Sequence, residues 1–146
     1  LLTGMSDGGT FSYVCGLQSD SPFTHLAPCS ASFHPMLMEV VDPARAQGLP
    51  IYLMHGALDW MFPVSVAQEA NTALSAAGAK VVYREIENLS HTYPQEENPA
   101  VLRWLAEAVP PKVIKAMRIG ENVSGSSSNR PQLSVSSLYS GCWSLT

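Results

Sequence analysis

The chain has 146 residues, of which 46% are apolar and only 14% charged, with a formal net charge of −4. That is about one domain by length; the lack of any basic block excludes a nucleic-acid footprint, and no run reaches the ~18 apolar residues of a membrane span. The charged share is well below the ~25% of ordinary soluble domains, which implies extensive burial or a natural surround outside this chain.

Leu1-Leu2-Thr3-Gly4-Met5-Ser6-Asp7-Gly8-Gly9 leads the chain order. An apolar run enters Gly-x-Ser-x-Gly and a helix follows, the pattern of a nucleophile elbow, in which a sharp strand-to-helix turn leaves the serine hydroxyl exposed. Gly4 and Gly8 are expected to let neighbouring backbone pass close to the turn. A nucleophile strand belongs in the middle of its sheet, so the chain is expected to begin in mid-domain. Thr10 to Leu17 reads as the helix, with Phe11, Val14, Cys15 and Leu17 on its apolar face. Its positive N-terminal end would point at Ser6, which suits a developing oxyanion.

Thr24 to Phe33 reads as a strand of mostly small residues, with Pro28 arguing for an edge or a bend. Met36 to Val41 is an irregular or briefly helical insert, and Asp42 to Gly48 a linker-like loop. Pro50 to Gly56 is the clearest strand, continuously apolar as in a buried parallel sheet. Pro63 suits a first helical position, Val64 to Ala77 has helical spacing, and Gly78 stops it. Lys80 to Ile86 alternates as a strand near a sheet edge. Val101, Leu102, Leu105 and Val109, with Trp104, mark a last amphipathic helix over 99–109. Strand and helix alternate throughout, which argues for an α/β fold with a mostly parallel sheet and flanking helices.

After Pro110 the character changes. Lys112 to Arg118 extends a helix at most, and the Ser-rich remainder reads as disordered, giving two regions, 1–109 and 110–146. Asn122-Val123-Ser124 fits a glycosylation acceptor pattern. Cys15, Cys29 and Cys142 are too few and too scattered for a disulfide framework or a metal-ligand set. Cys15 and Cys29 are expected to be buried free thiols. No metal or cofactor is implied.

In a parallel sheet the loops at the carboxyl ends of the strands converge on one edge. Three such loops each carry one residue of the right chemical type: Ser6, Asp59 and His91. A serine needs a general base in contact and an acid that fixes the base's tautomer. The chain order Ser, Asp, His is that of α/β hydrolases. Asp59 as a turn or cap residue and His91 as a plain loop histidine are the structural alternatives. Trp60, Met61 and Phe62 either line a substrate pocket or simply pack. Met36, Leu37 and Met38 read as an ordinary apolar insert before a lid. His55 serves packing or loop hydrogen bonding, His34 reads as a residue away from the site rather than one facing it, and His25 carries no argument for function.

L-L-T-G-M-S-D-G-G-T-F resembles the nucleophile segment of α/β-hydrolase serine esterases of the phospholipase/carboxylesterase branch. P-I-Y-L-M-H-G-A-L-D-W-M-F-P-V resembles that family's strand and acid loop, and N-L-S-H-T-Y-P its histidine loop. The resemblance covers about residues 1–109. It implies the carboxyl-terminal half of an α/β-hydrolase fold, with the N-terminal strands missing. It also implies a small-molecule ester as substrate, with Ser6 as nucleophile, His91 as base and Asp59 as acid. The Asp7 backbone N–H would be one oxyanion-hole donor, the other coming from a loop after an earlier strand. A thioesterase or peptidase of the same fold, or a non-catalytic fragment acting as an interaction module, are the alternatives; compartment and oligomeric state stay open.

Overall fold

The computed structural model describes residues 1–34, 36–40 and 42–108. Val109, the helical extension, the Ser-rich region, the Asn122 pattern and Cys142 lie outside the described residues.

Among the described residues four strands, β1 (Leu2–Met5), β2 (Leu26–Cys29), β3 (Pro50–Gly56) and β4 (Lys80–Ile86), form one sheet in the order β1-β2-β3-β4. Every pairing is parallel. The long helices are α1 (Asp7–Gly16), α4 (Val64–Ala76) and α5 (Asn98–Ala108); α2 (Leu37–Val40) and α3 (Pro43–Ala46) are single turns. β3 is buried on both faces, which is why its sequence is continuously apolar rather than alternating. Ile51 and Leu53 face α1 and α4 through Tyr13, Leu17, Ala67, Ala70 and Leu74. Tyr52 and Met54 face α5 through Val101 and Trp104. Full burial of a Leu or Ile side chain is worth about 1.5–3 kcal/mol, so these two layers hold the sheet that aims the loops.

The α1 face differs from expectation. Phe11 is 64% exposed, Val14 and Cys15 are half-buried, and the buried positions are Gly9, Ser12, Tyr13 and Gly16 with Leu17. Tyr13 and Leu17 bury large side chains, but at Gly9 and Gly16 the helix approaches its neighbours too closely for any side chain. A Cβ on Gly9 would lie 2.7 Å from the Ala31 Cβ, and one on Gly16 would strike the Leu26 side chain. The helix also begins earlier than expected, at Asp7, so Gly8 and Gly9 lie in its first turn. Of the two elbow glycines, only Gly4 is crowded, by the Gly8 backbone. A Cβ on Gly8 would meet nothing within 4 Å, and Gly9 takes the tight role instead.

β2 is shorter than the expected 24–33 strand and is interior, not an edge. Alternate residues of a strand aim their N–H groups at opposite neighbours. Ser30 N–H donates to the Met54 carbonyl on β3, so position 28 faces β3 as well, and Pro28 leaves that rung empty. The paired positions between β2 and β3 are accordingly Leu26 with Ile51 and Cys29 with Met54, with a gap between. The segment read as a loop over 42–48 contains α3, whose first turn is capped by Asp42 accepting from Ala44 N–H at 2.9 Å. Leu37 and Met38 of α2 pack against the core, as an ordinary insert does, while Met36 is exposed. In α5, Val101 is buried, but Leu102 is 63% exposed and lies off the apolar face.

Candidate active site

β1 ends at Met5, and the chain reverses into α1 through Ser6, whose φ of 56° and ψ of −121° are strained for any residue with a Cβ. Three bonds hold the turn. Ser6 N–H donates to the Cys29 carbonyl at 2.9 Å, and the Ser6 carbonyl accepts from Thr10 N–H at 2.9 Å and from the Thr10 hydroxyl at 3.2 Å. The Thr10 hydroxyl in turn accepts from Ser32 N–H at 3.0 Å, tying the elbow to the segment after β2. Ser6 occupies the N-cap of α1, where a serine normally spends its hydroxyl on the first-turn N–H groups. Here the side chain makes no such bond. Its Oγ lies 3.0 Å from His91 Nε2 instead.

Asp59 sits in the loop after β3 and is buried. Its Oδ1 accepts from Met61 N–H and Phe62 N–H, each at 2.9 Å, which closes a tight turn around the carboxylate. Its Oδ2 lies 2.8 Å from His91 Nδ1. Burial alone would push this carboxyl up. The Phe62 N–H, His91 and the Met61 N–H outweigh it and hold the group below its ordinary value. A carboxylate only accepts, so His91 carries its proton on Nδ1 and presents a lone pair on Nε2. The Ser6 hydroxyl is then the donor to Nε2.

His91 reaches this place because the loop after β4 runs over the end of β3. Leu58 N–H donates to the Leu89 carbonyl at 2.9 Å and Ala57 N–H to the Ile86 carbonyl at 2.9 Å. A Cβ on Gly56 would meet the Leu89 and Ser90 carbonyl oxygens. The dipeptide His55-Gly56 thus lets two loops far apart in sequence cross in contact.

Trp60 and Phe62 flank the His91 ring edge-on, with centroids 6.3 and 5.5 Å away. Trp60 is 74% exposed and Met61 is also exposed. Asp7 N–H, the first of α1, has no hydrogen-bond partner among the described residues and lies beside Ser6. His34 is exposed and accepts from Met36 N–H, apart from these loops. His25 precedes β2 at the amino ends of the strands and meets Trp104 edge-on at 5.5 Å. Cys29 is buried, and desolvation, with the nearby Asp59 charge adding to it, pushes its thiol to about 11. Cys15 is only half-buried, contrary to expectation. No group of His, Cys, Asp or Glu among the described residues is arranged to hold a metal ion. No helix among them is long and apolar enough to cross a membrane. His55 is buried and hydrogen-bonds the acid loop at the Phe62 carbonyl, 2.9 Å away, as its place at a strand end suggests; its Nε2 also lies 3.5 Å from Asp59 Oδ2, which the sequence does not indicate.

A sequence model of the phospholipase/carboxylesterase family matches residues 1–108. No curated protein matches the chain. Among solved structures, the chain is similar to esterase PE8 at 24% identity and a TM-score of 0.63, covering 73% of this chain and 49% of that one. It is similar to Zea mays acyl-protein thioesterase 2 at 22% identity and a TM-score of 0.60, covering 72% and 54%. It is similar to the Bacillus cereus carboxylesterase at 15% identity and a TM-score of 0.59, covering 73% and 49%. At these identities the likeness shows the fold: four parallel strands with flanking helices, a partial α/β-hydrolase architecture. The chain spans about half the length of each of these structures.

Proposed function

The chain belongs to the phospholipase/carboxylesterase family, and we propose that it is a serine hydrolase that cleaves carboxylic esters through an acyl-enzyme. The observation that supports this is the unbroken line from Ser6 Oγ through His91 Nε2 and Nδ1 to Asp59 Oδ2, with links of 3.0 and 2.8 Å. In this reading Ser6 is the nucleophile, His91 the base and Asp59 the acid. We take residues 1–109 as the hydrolase segment.

His91 Nε2 removes the proton from Ser6 Oγ as the oxygen attacks the ester carbonyl. Asp59 holds the imidazole in the tautomer that leaves Nε2 free and balances its charge once it is protonated. Asp7 N–H and the positive end of α1 face the oxyanion that forms. His91 then gives its proton to the leaving alcohol. A water enters, loses a proton to the same nitrogen, and attacks the acyl-Ser6 carbonyl to release the acid. Trp60, Met61 and Phe62 form an apolar border for the acyl group beside His91.

A thioester is the second reading, because the fold is shared with Zea mays acyl-protein thioesterase 2 and this arrangement does not choose the leaving group. The test is labelling with a fluorophosphonate, followed by peptide mapping, alongside hydrolysis of p-nitrophenyl acetate and an acyl thioester. Label on Ser6 that is absent in Ser6→Ala supports the reading; no label, or label elsewhere, overturns it.

A further inference from the structure

His55 is the penultimate residue of β3 and is 1% exposed. Its Nε2 makes a 2.9 Å hydrogen bond to the Phe62 carbonyl. A carbonyl only accepts, so the His55 proton is on Nε2 and the ring is the donor. The same nitrogen lies 3.5 Å from Asp59 Oδ2. The carboxylate therefore has a neighbour from β3 beside its three hydrogen-bond donors. Oδ1 accepts from Met61 and Phe62 N–H, and Oδ2 accepts from His91, with the His55 ring nitrogen 3.5 Å away. Phe62 is held twice, its N–H by Asp59 and its carbonyl by His55. The turn thus folds back onto the strand end from which it departs.

We infer that His55 is a positioning residue: its buried N–H, acting through the Phe62 carbonyl, anchors the turn that aims Asp59 Oδ2 at His91. The start of the turn is tied by Leu58 N–H to the Leu89 carbonyl at 2.9 Å and Asp59 N–H to the Gly56 carbonyl at 3.2 Å, which leaves its far end, at Phe62, to be held by other contacts. The His55 ring joins its far end, at Phe62, to the buried end of β3. Loss of that donor leaves the Phe62 carbonyl without its partner and lets Oδ2 drift from His91 Nδ1. The catalytic consequence rests on the hydrolase reading; the positioning itself does not.

The substitutions that separate positioning from packing are His55→Gln, His55→Asn and His55→Leu. A Gln amide nitrogen reaches about as far as Nε2 and donates to Phe62, an Asn amide falls one bond short, and Leu fills space without a donor. The readout is the low-field proton NMR resonance of His91 Nδ1–H, assigned by its loss in His91→Gln, together with the rate of phosphonate labelling at Ser6. Far-UV circular dichroism checks that each variant is folded, and if Leu fails, the Gln and Asn pair carries the comparison. Expected are a retained resonance and near-normal labelling in His55→Gln. In the other two the resonance is shifted or broadened, with labelling slowed about tenfold. An unchanged resonance in His55→Asn and His55→Leu, or equal loss in His55→Gln, overturns the inference, as does absence of the resonance from the unsubstituted chain. Absence of labelling in the unsubstituted chain sinks the hydrolase reading alone, because the resonance series still decides whether His55 orients Asp59.

Discussion

The Leu89 carbonyl lies over Gly56 in the place where any other residue would carry its Cβ, with the Ser90 carbonyl 2.7 Å from that same point. Both contacts are with backbone, which cannot swing aside as a flexible side chain does. Gly56→Ala therefore displaces the 89–90 segment, and His91 moves with it. The expected result is a fall of about 10²-fold or more in phosphonate labelling of Ser6, the scale of a misplaced catalytic group, with a lower Tm by calorimetry. Labelling at the normal rate in a folded Gly56→Ala chain would contradict the crossing as described.

The adjacent glycines Gly8 and Gly9 in the first turn of α1 should behave oppositely. Gly8→Ala meets nothing within 4 Å and replaces a poor helix former in the first turn of α1, so it should stabilise by about 0.5–1 kcal/mol. Gly9→Ala drives a methyl against the Ala31 Cβ and two carbonyl oxygens, so it should destabilise by about 1–3 kcal/mol. Urea unfolding of the two variants checks the contrast, which disappears if α1 does not press on the segment after β2.

Ser6 and Ser30 both hold positive φ, 56° and 42°. Such residues store about 1–3 kcal/mol of backbone strain. Ser30 is also fully buried, with a hydroxyl that has no partner among the described residues. Ser6→Gly should raise Tm while abolishing labelling, and Ser30→Gly should raise it with labelling retained. A lower Tm in both would show that the turns are not strained.

Asp59 ionises below its ordinary value of about 3.9 in the folded chain. A carboxyl depressed by folding contributes stability above its unfolded pKa and loses it as pH falls through its folded one. Glu97 adds to the same window, lowered first by its Arg84 hydrogen bond, with burial opposing. Stability should therefore decline on the acid side of about pH 4, and Asp59→Asn should flatten that decline. The same substitution should slow Ser6 labelling by roughly 10³–10⁴-fold, because the amide no longer fixes the His91 tautomer. Unfolding free energies between pH 3 and 7, measured on both chains, give the comparison.

Strands β3 and β4 and helix α4 are legible in the sequence because each has a clear period or run and a Gly or Pro at its boundary. The buried face of α1 is not, because close packing on a sheet selects Gly9, Ser12 and Gly16, which carry no hydrophobic signal. Pro28 argues against an interior strand, yet a parallel ladder loses only the one rung its nitrogen would make. α3 is four residues long, too short for any period to show. Ser6, Asp59 and His91 are legible as one residue of suitable chemistry in each of three converging loops. The crossing at Gly56 is not, since it depends on contacts between segments that the sequence does not place side by side.

The sheet is laid down in chain order, each strand beside the one made before it. His91 follows Ser6 by 85 residues and comes after the last of these strands. On the ribosome, where the amino end emerges first, the elbow exists as plain alcohol until β4 has docked and the loop beyond it has crossed Gly56. In the proposed reading Ser6 therefore has no base until that crossing has formed. A chain in which β4 has not docked then holds a serine with nothing beside it to withdraw its proton, and so has no means of attacking acyl groups on its neighbours.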